Sequence, residues 1–245
     1  MGTFVNFGPL MTSPPRIDCL KSVLHVFQVK ANKRALQRLC NEVFNTPSQS
    51  SVVCVPIDKY VFLQFGHIDW VGTAGSSAGV KEDQVLIHVP VAFTSARAIG
   101  LAYFTPFIWV DNPLSMAGGR EVFGYPKSIG PISIPNVPKL TPPSLTLKGW
   151  KGDLEDHEWL RDQDQILVQP REPLDPSTGD LINIFIDKLD PNSGSQVLFR
   201  DWLAGRATEI FLKQFRATDS NINNNNACFQ QILIKHADEI LVLKG

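Results

Sequence analysis

Short stretches of alternating apolar and polar residues recur through most of the chain, and that pattern predicts strands. Residues 21–30, KSVLHVFQVK, are rich in Val and Phe and partly alternate. Residues 33–44, KRALQRLCNEVF, change period: Ala35, Leu36, Leu39, Val43 and Phe44 share one helical face, Asn32 can cap it, and Asn45 and Pro47 end it. Strand signals return at residues 52–55, at 59–65 (KYVFLQF) and at 85–93 (VLIHVPVAF), where Pro90 suits an edge or a bulge. Residues 71–79, VGTAGSSAG, read as a mobile loop. The apolar run at 99–110, IGLAYFTPFIWV, is too short and Pro-broken for a membrane helix and reads as a buried strand. A helix follows near Asp111, with Asp111 or Asn112 as cap and Pro113 in its first turn.

The second half repeats the theme. Strands are predicted at residues 145–150, 166–169, 181–187, 196–202 and 208–216, and a short helix before a last strand closes the chain. Residues 220–226, SNINNNN, read as a polar surface loop. The acidic stretch at 152–164, GDLEDHEWLRDQD, lacks calcium-loop spacing and reads as a solvated hairpin or short helix. No dinucleotide or P-loop motif occurs, and the strand–helix alternation of a doubly wound sheet is missing. The expected fold is therefore α+β: mainly antiparallel, barrel-like or sandwich-like, with a few short helices, in one domain over residues 1–245.

Composition narrows function by exclusion. A net charge of −1 gives no basic field for nucleic acid or for an anionic membrane surface. The opening MGTFVNFGPLMTSPP lacks the features of a signal peptide, and no run of 18 apolar residues appears. Cys19, Cys40, Cys54 and Cys228 form no close pair, which predicts free thiols in a reducing, cytoplasmic setting. His67 and Asp69 share a strand face but belong to no metal motif, so no metal site is assigned. His67 or His88 can instead serve as a proton carrier in a pocket.

The stretch GGREVFGYPKSIGP, residues 118–131, concentrates the chemistry. Lys127 follows Tyr125-Pro126 and precedes Ser128-Ile129-Gly130, with Gly124 and Gly130 allowing close approach on either side. Such a frame can aim an amine into an apolar pocket; equally, it can describe a lysine on a solvated turn. A neutral lysine amine attacks a ketone to form an imine, which fixes the intermediate but not the reaction that follows.

At GREVFGYPK-SIG the sequence resembles the acetoacetate decarboxylase family, in which this segment carries the catalytic lysine. HVPVAF, within residues 85–93, and the C-terminal FLKQFR and CFQQILI extend the resemblance over most of the chain. It implies an acetoacetate decarboxylase-like fold and an imine on Lys127, most simply for decarboxylation of a β-keto acid. Aldol or dehydratase chemistry on a pyruvate-derived substrate, or simple ligand binding, are the alternatives. It also implies a small keto acid as substrate, a homo-oligomer, and no cofactor, since the imine is itself the electron sink.

Several family positions are altered. A second lysine usually supplies a neighbouring cation, and Ser128 stands in its place. Arg120 becomes a candidate for a substrate carboxylate, or for a structural pairing with Glu121. The family's two pocket glutamates fall near Gln64 and at either Gln84 or Glu82. Its early arginine falls near Lys21 or Ser22, with Arg16 offset. Phe104, Phe107, Trp109, Phe123 and Tyr125 promise an apolar pocket.

Overall fold

The computed structural model describes residues 17–73, 77, 79–134, 145–153, 158–168, 198, 201, 207–216, 227–236 and 239–244. The elements run in the order β1 (Ile17–Lys30), α1 (Lys33–Cys40), a π turn (Asn41–Asn45), β2 (Val52–Pro56), β3 (Tyr60–Thr73), β4 (Gly79–Ser95), β5 (Ile99–Val110), α2 (Pro113–Gly118) and a second π turn (Gly119–Phe123). β6 (Lys127–Ile129), β7 (Ile132–Ser133), β8 (Leu145–Asp153), β9 (Glu158–Val168), β10 (Thr208–Arg216), β11 (Ala227–His236) and β12 (Glu239–Lys244) follow. The predicted strands at 181–187 and the loop at 220–226 lie outside the described residues.

The chain packs as two units, one drawn from Met1–Leu24, Phe65–Val85 and Ile108–Pro170, the other from His25–Gln64, Leu86–Phe107 and Arg171–Gly245. β1, β3, β4 and β5 contribute residues to both.

In the second unit the predicted helix forms as α1. Asn32 caps it, its Oδ1 accepting from the Arg34 and Ala35 amides at 2.9 and 3.3 Å. Leu36, Cys40 and Phe44, spaced by four, are buried against β2, β4 and β5, and Phe44 meets Phe104 edge-on at 4.8 Å. Emptying the Phe44 site would cost about 3–5 kcal/mol. Asn45 does more than end the helix. Its side chain accepts from the Cys54 amide at 2.7 Å and donates to the Cys54 carbonyl at 3.1 Å, so it pairs with β2 as a neighbouring strand would. Cys40 and Cys54 are free thiols, and burial pushes Cys40 up to about 11 and Cys54 higher still.

The main sheet runs β1-β3-β4-β5-β10-β11-β12, with β2 added on β4 and β6 on β5, while β7-β8-β9 form a separate sheet. This corrects the expected barrel. The path begins at β1 and ends at β12, so the sheet is open. Antiparallel pairing dominates, but β5 holds parallel partners in both β10 and β6. A carbonyl of the terminal strand β12, that of Val242, accepts from the Arg97 guanidinium at 2.8 Å.

Other expectations shift. Pro90 lies in the inner strand β4 rather than at an edge, one residue beyond the last β2 partner pair, Pro56↔Val91. The missing amide therefore falls where that ladder has ended. Residues 71–73 and 79 extend β3 and β4 instead of forming a loop. Within 196–202 the described residues Leu198 and Asp201 are helical, and the final segment is the β11–β12 pair with no helix among its described residues. The described parts of 152–164 belong to β8 and β9, which pair antiparallel.

Candidate active site

β6 runs parallel to the end of β5, with Ile108 opposite Lys127, Trp109 opposite Ser128 and Val110 opposite Ile129. Parallel neighbours need a crossover, and here it is α2 with its π turn. Asn112 starts the helix, its Oδ1 accepting from the Leu114 and Ser115 amides at 2.9 and 3.3 Å, and Pro113 occupies the first turn. The turn ends at Gly124, whose φ of 79° is left-handed. Pro126 follows, and the Lys127 amide donates to the Tyr125 carbonyl at 2.8 Å, closing a three-residue turn across the proline. That turn delivers Lys127 to the start of β6.

The Lys127 Nζ stands 2.7 Å from the Ser115 Oγ and 3.2 Å from the Glu82 Oε1. Ser115 in turn donates to the other Glu82 oxygen, Oε2. The side chains of Lys127 and Glu82 are 12% and 2% exposed, so the ion pair is largely withdrawn from water. Gly119 makes room for the lysine stem. A Cβ at 119 would lie 2.7 Å from Lys127 Cδ and 2.8 Å from Cε.

Glu82 is held in register from both sides. Asn112 Nδ2 donates to the Lys81 carbonyl at 3.0 Å, so one amide fastens both the first turn of α2 and the strand residue before Glu82. On the other side the Asp83 amide donates to Asp111 Oδ1 at 2.8 Å, and the Asp111 amide to the Asp83 carbonyl at 3.1 Å. The alternate strand positions carry a different cluster. His67 Nδ1 lies 2.5 Å from Asp83 Oδ1 and Nε2 3.4 Å from Asp69, and Lys81 reaches Asp69 at 3.7 Å. The hydrogen bond to Asp83 raises the His67 pKa, while burial raises that of Asp83. Among the described residues no cluster of three or more His, Cys, Asp or Glu has metal-holding geometry. None of the described helices is long and apolar enough to cross a membrane.

The sequence-nominated residues divide clearly. Lys127 and Glu82 meet. Gln84, two positions further along β4, is half-buried and lies against Gly66, where a Cβ would stand 3.2 Å from its Cγ. Arg120 is exposed and donates to the Lys127 carbonyl at 3.2 Å, bracing the backbone beneath the amine. Glu121 is half-buried in the π turn, and the Tyr125 ring lies 5.7 Å from that of Phe123. Ser128 is exposed, as is Ile129 after it. Lys21 is exposed in β1 with a left-handed φ of 54°, and Arg16 lies outside the described residues.

Gln64 belongs to the second unit, where it is 3% exposed. Its Oε1 lies 3.0 Å from His88 Nε2, and His88 Nδ1 lies 2.9 Å from Thr105 Oγ1. Burial lowers His88 to about 4, so the ring is neutral, donating to the amide oxygen and accepting from the hydroxyl. Phe104 is likewise core of that unit. Two contributors had escaped the sequence reading: Ser115, an ordinary first-turn serine, and Gly119. The doubled glycine at 118–119 was the available signal for the second.

A family model for acetoacetate decarboxylase (ADC) matches residues 7–150, more than half of the chain. No curated protein sequence matches significantly. Among solved structures, the acetoacetate decarboxylase from Legionella pneumophila subsp. pneumophila str. Philadelphia 1 superposes with a TM-score of 0.56 at 12% identity, covering 96% of this chain and 70% of that one. A second acetoacetate decarboxylase gives 0.51 at 14%, over 92% and 69%. The enduracididine biosynthesis enzyme MppR gives 0.53 at 11%, over 93% and 70%. At these identities the structural likeness is one of fold, whereas the family model matches more than half of the chain: the chain belongs to the acetoacetate decarboxylase family.

Proposed function

We propose that this protein acts on a small keto acid through an imine on Lys127. The observation that carries this is the withdrawn amine of Lys127 set against the carboxylate of Glu82, 3.2 Å away. The amine must lose a proton before it can attack, and a carboxylate in hydrogen-bond reach is a place for that proton to go. Nζ then bonds to the keto carbon, the carbonyl oxygen leaves as water, and the protonated imine draws electrons from the adjacent carbon. No further electron sink is required.

Two outcomes branch from the imine. Loss of a carboxylate from a β-keto acid needs no base. Removal of a proton from the adjacent carbon, which leads to an enamine and to aldol or dehydration chemistry, does need one. Glu82 beside the nitrogen favours the second branch, on a pyruvate-like substrate. Arg120 is on the exposed side of the same segment and is a candidate contact for the substrate carboxylate.

Borohydride reduction in the presence of pyruvate or acetoacetate, followed by peptide mass spectrometry, tests the imine. The expected result is a covalent adduct on Lys127. Deuterium uptake into the pyruvate methyl group reports the enamine branch, and carbon dioxide release from acetoacetate reports decarboxylation. An unmodified Lys127 with both probes would overturn the reading.

A further inference from the structure

Ser115 has one proton to donate and two neighbours that constrain where it points. We infer that Ser115 is a catalytic residue that carries protons between Glu82 and the reacting atoms during imine formation, first the Lys127 nitrogen and then the carbinolamine hydroxyl, an inference that rests on the imine reading above. The direction of the chain follows from the donors available. A lysine ammonium only donates, so its 2.7 Å contact makes Ser115 Oγ the acceptor. A hydroxyl that accepts on a lone pair keeps its own O–H free to donate, and Glu82 Oε2 receives it. The line Nζ–H to Oγ–H to Oε2 is thus a continuous path from amine to carboxylate.

Its geometry is fixed by a residue that touches neither end. Asn112 holds the Ser115 amide through Oδ1 and the Lys81 carbonyl through Nδ2. Hydroxyl and carboxylate are therefore positioned by one side chain, and Gly119 lets the lysine stem lie alongside.

The direct contact between Nζ and Oε1 cannot replace this path throughout the reaction. When the keto carbon bonds to Nζ, the nitrogen becomes crowded and the oxygen that must leave sits on the new carbon, one bond further out. In the first step the ammonium proton passes through Ser115 to Glu82, leaving a neutral amine and a carboxylic acid. The amine adds to the ketone, giving a carbinolamine once the nitrogen's proton has moved to the former carbonyl oxygen. In the second step the Glu82 proton returns through Ser115 to that hydroxyl. The C–O bond breaks, water departs, and the nitrogen lone pair closes the C=N bond. The products are a protonated imine, water and the original carboxylate, so protons and charge balance without any added reactant.

The test compares wild type, Ser115→Ala and Ser115→Thr by their rates of borohydride-trapped adduct formation with pyruvate across pH, alongside thermal unfolding of each. Removing the relay is expected to slow trapping by about 100-fold at neutral pH, in the range of general acid–base contributions, with Thr retaining most of the rate because it keeps the hydroxyl. Alanine trapping at the wild-type rate, or Thr as slow as Ala, would overturn the relay. The wild-type protein supplies a second measurement that does not depend on how the variants fold. Trapping rates in mixtures of light and heavy water are expected to curve with deuterium fraction, as two protons in flight require, and a straight line would overturn the inference. A wild type that forms no adduct would reject the imine reading itself, and the relay with it; a wild type that does, with an indifferent Ser115→Ala, would reject Ser115 alone.

Discussion

Gly119 and Lys127 are in contact so close that a methyl group at 119 would stand 2.7 Å from the lysine Cδ and 2.8 Å from Cε. The glycine backbone is ordinary helix, φ −63° and ψ −39°, so alanine there strains nothing except the lysine. Gly119→Ala is expected to fold with a midpoint close to wild type, since the gain in helix propensity, about 1 kcal/mol, offsets part of the overpacking. Adduct formation on Lys127 should fall by roughly 100-fold because the amine is displaced from Ser115 and Glu82. Wild-type trapping by Gly119→Ala would show that the stem relocates without consequence.

Ser128, which the family resemblance sets in the place of a second lysine, is exposed and follows Lys127 along β6. A cation introduced there would extend into solvent, where its effect on a withdrawn amine is screened. Ser128→Lys is therefore expected to leave both the trapping rate and its pH dependence within about twofold, consistent with a surface change of under about 0.5 kcal/mol. A shifted pH profile would mean that position 128 communicates with the amine.

The Lys127–Glu82 pair predicts a thermodynamic coupling. Lys127→Met leaves a carboxylate 2% exposed with Ser115 as its donor, a loss of about 3 kcal/mol. Glu82→Gln leaves the ammonium in the same position. The double variant should lose less than the two single losses combined, with a coupling of about 1–3 kcal/mol in urea unfolding. Additive losses would indicate that the two groups do not interact in solution.

Two histidines predict opposite pH dependences of stability. His88 is depressed to about 4 from 6.5 by burial, so the unfolded chain binds a proton that the folded chain refuses. Its effect is absent above about pH 6.5 and costs on the order of 3 kcal/mol as pH falls towards 4. His67 is raised by its bond to Asp83, so its stabilisation is complete below 6.5 and is lost as pH rises through the raised value. Urea midpoints from pH 4.5 to 8 check both: His88→Gln should flatten the acid limb and His67→Gln the other. An acid limb unchanged in His88→Gln would assign it to different groups.

What was legible depended on whether the determining residues are neighbours in sequence. The helix at Lys33 and its Asn32 cap could be read because the cap, the period and the terminating residues are consecutive. The same holds for the turn that presents Lys127. The open sheet could not be read, because it depends on what the ends of the path pair with, and strand alternation does not encode distant partners. The choice between Glu82 and Gln84 was ambiguous for a related reason. Both lie on the same strand face, and the bonds of Asn112 and Asp111 to residues 81 and 83 are what bring Glu82 level with the amine. Ser115 left no mark of its own, since a serine in a first helical turn is commonplace. Gly124 and Gly130 drew attention as the lysine's frame. Gly124 does end the helix, but the residue that makes space for the amine is Gly119.

The crossover between β5 and β6 also bears on how the amine acquires its partners. Ser115 is 12 residues from Lys127, whereas Glu82 is 45 away. Closing the longer loop costs about 1 kcal/mol more chain entropy than closing the shorter one. Amine and hydroxyl thus come together within a single local excursion of the chain, and the carboxylate joins through the pairing of β4 with β5, its neighbour in the sheet. The amine is therefore set against its hydroxyl by the crossover and against its carboxylate by strand pairing, so reactivity requires both to be in place.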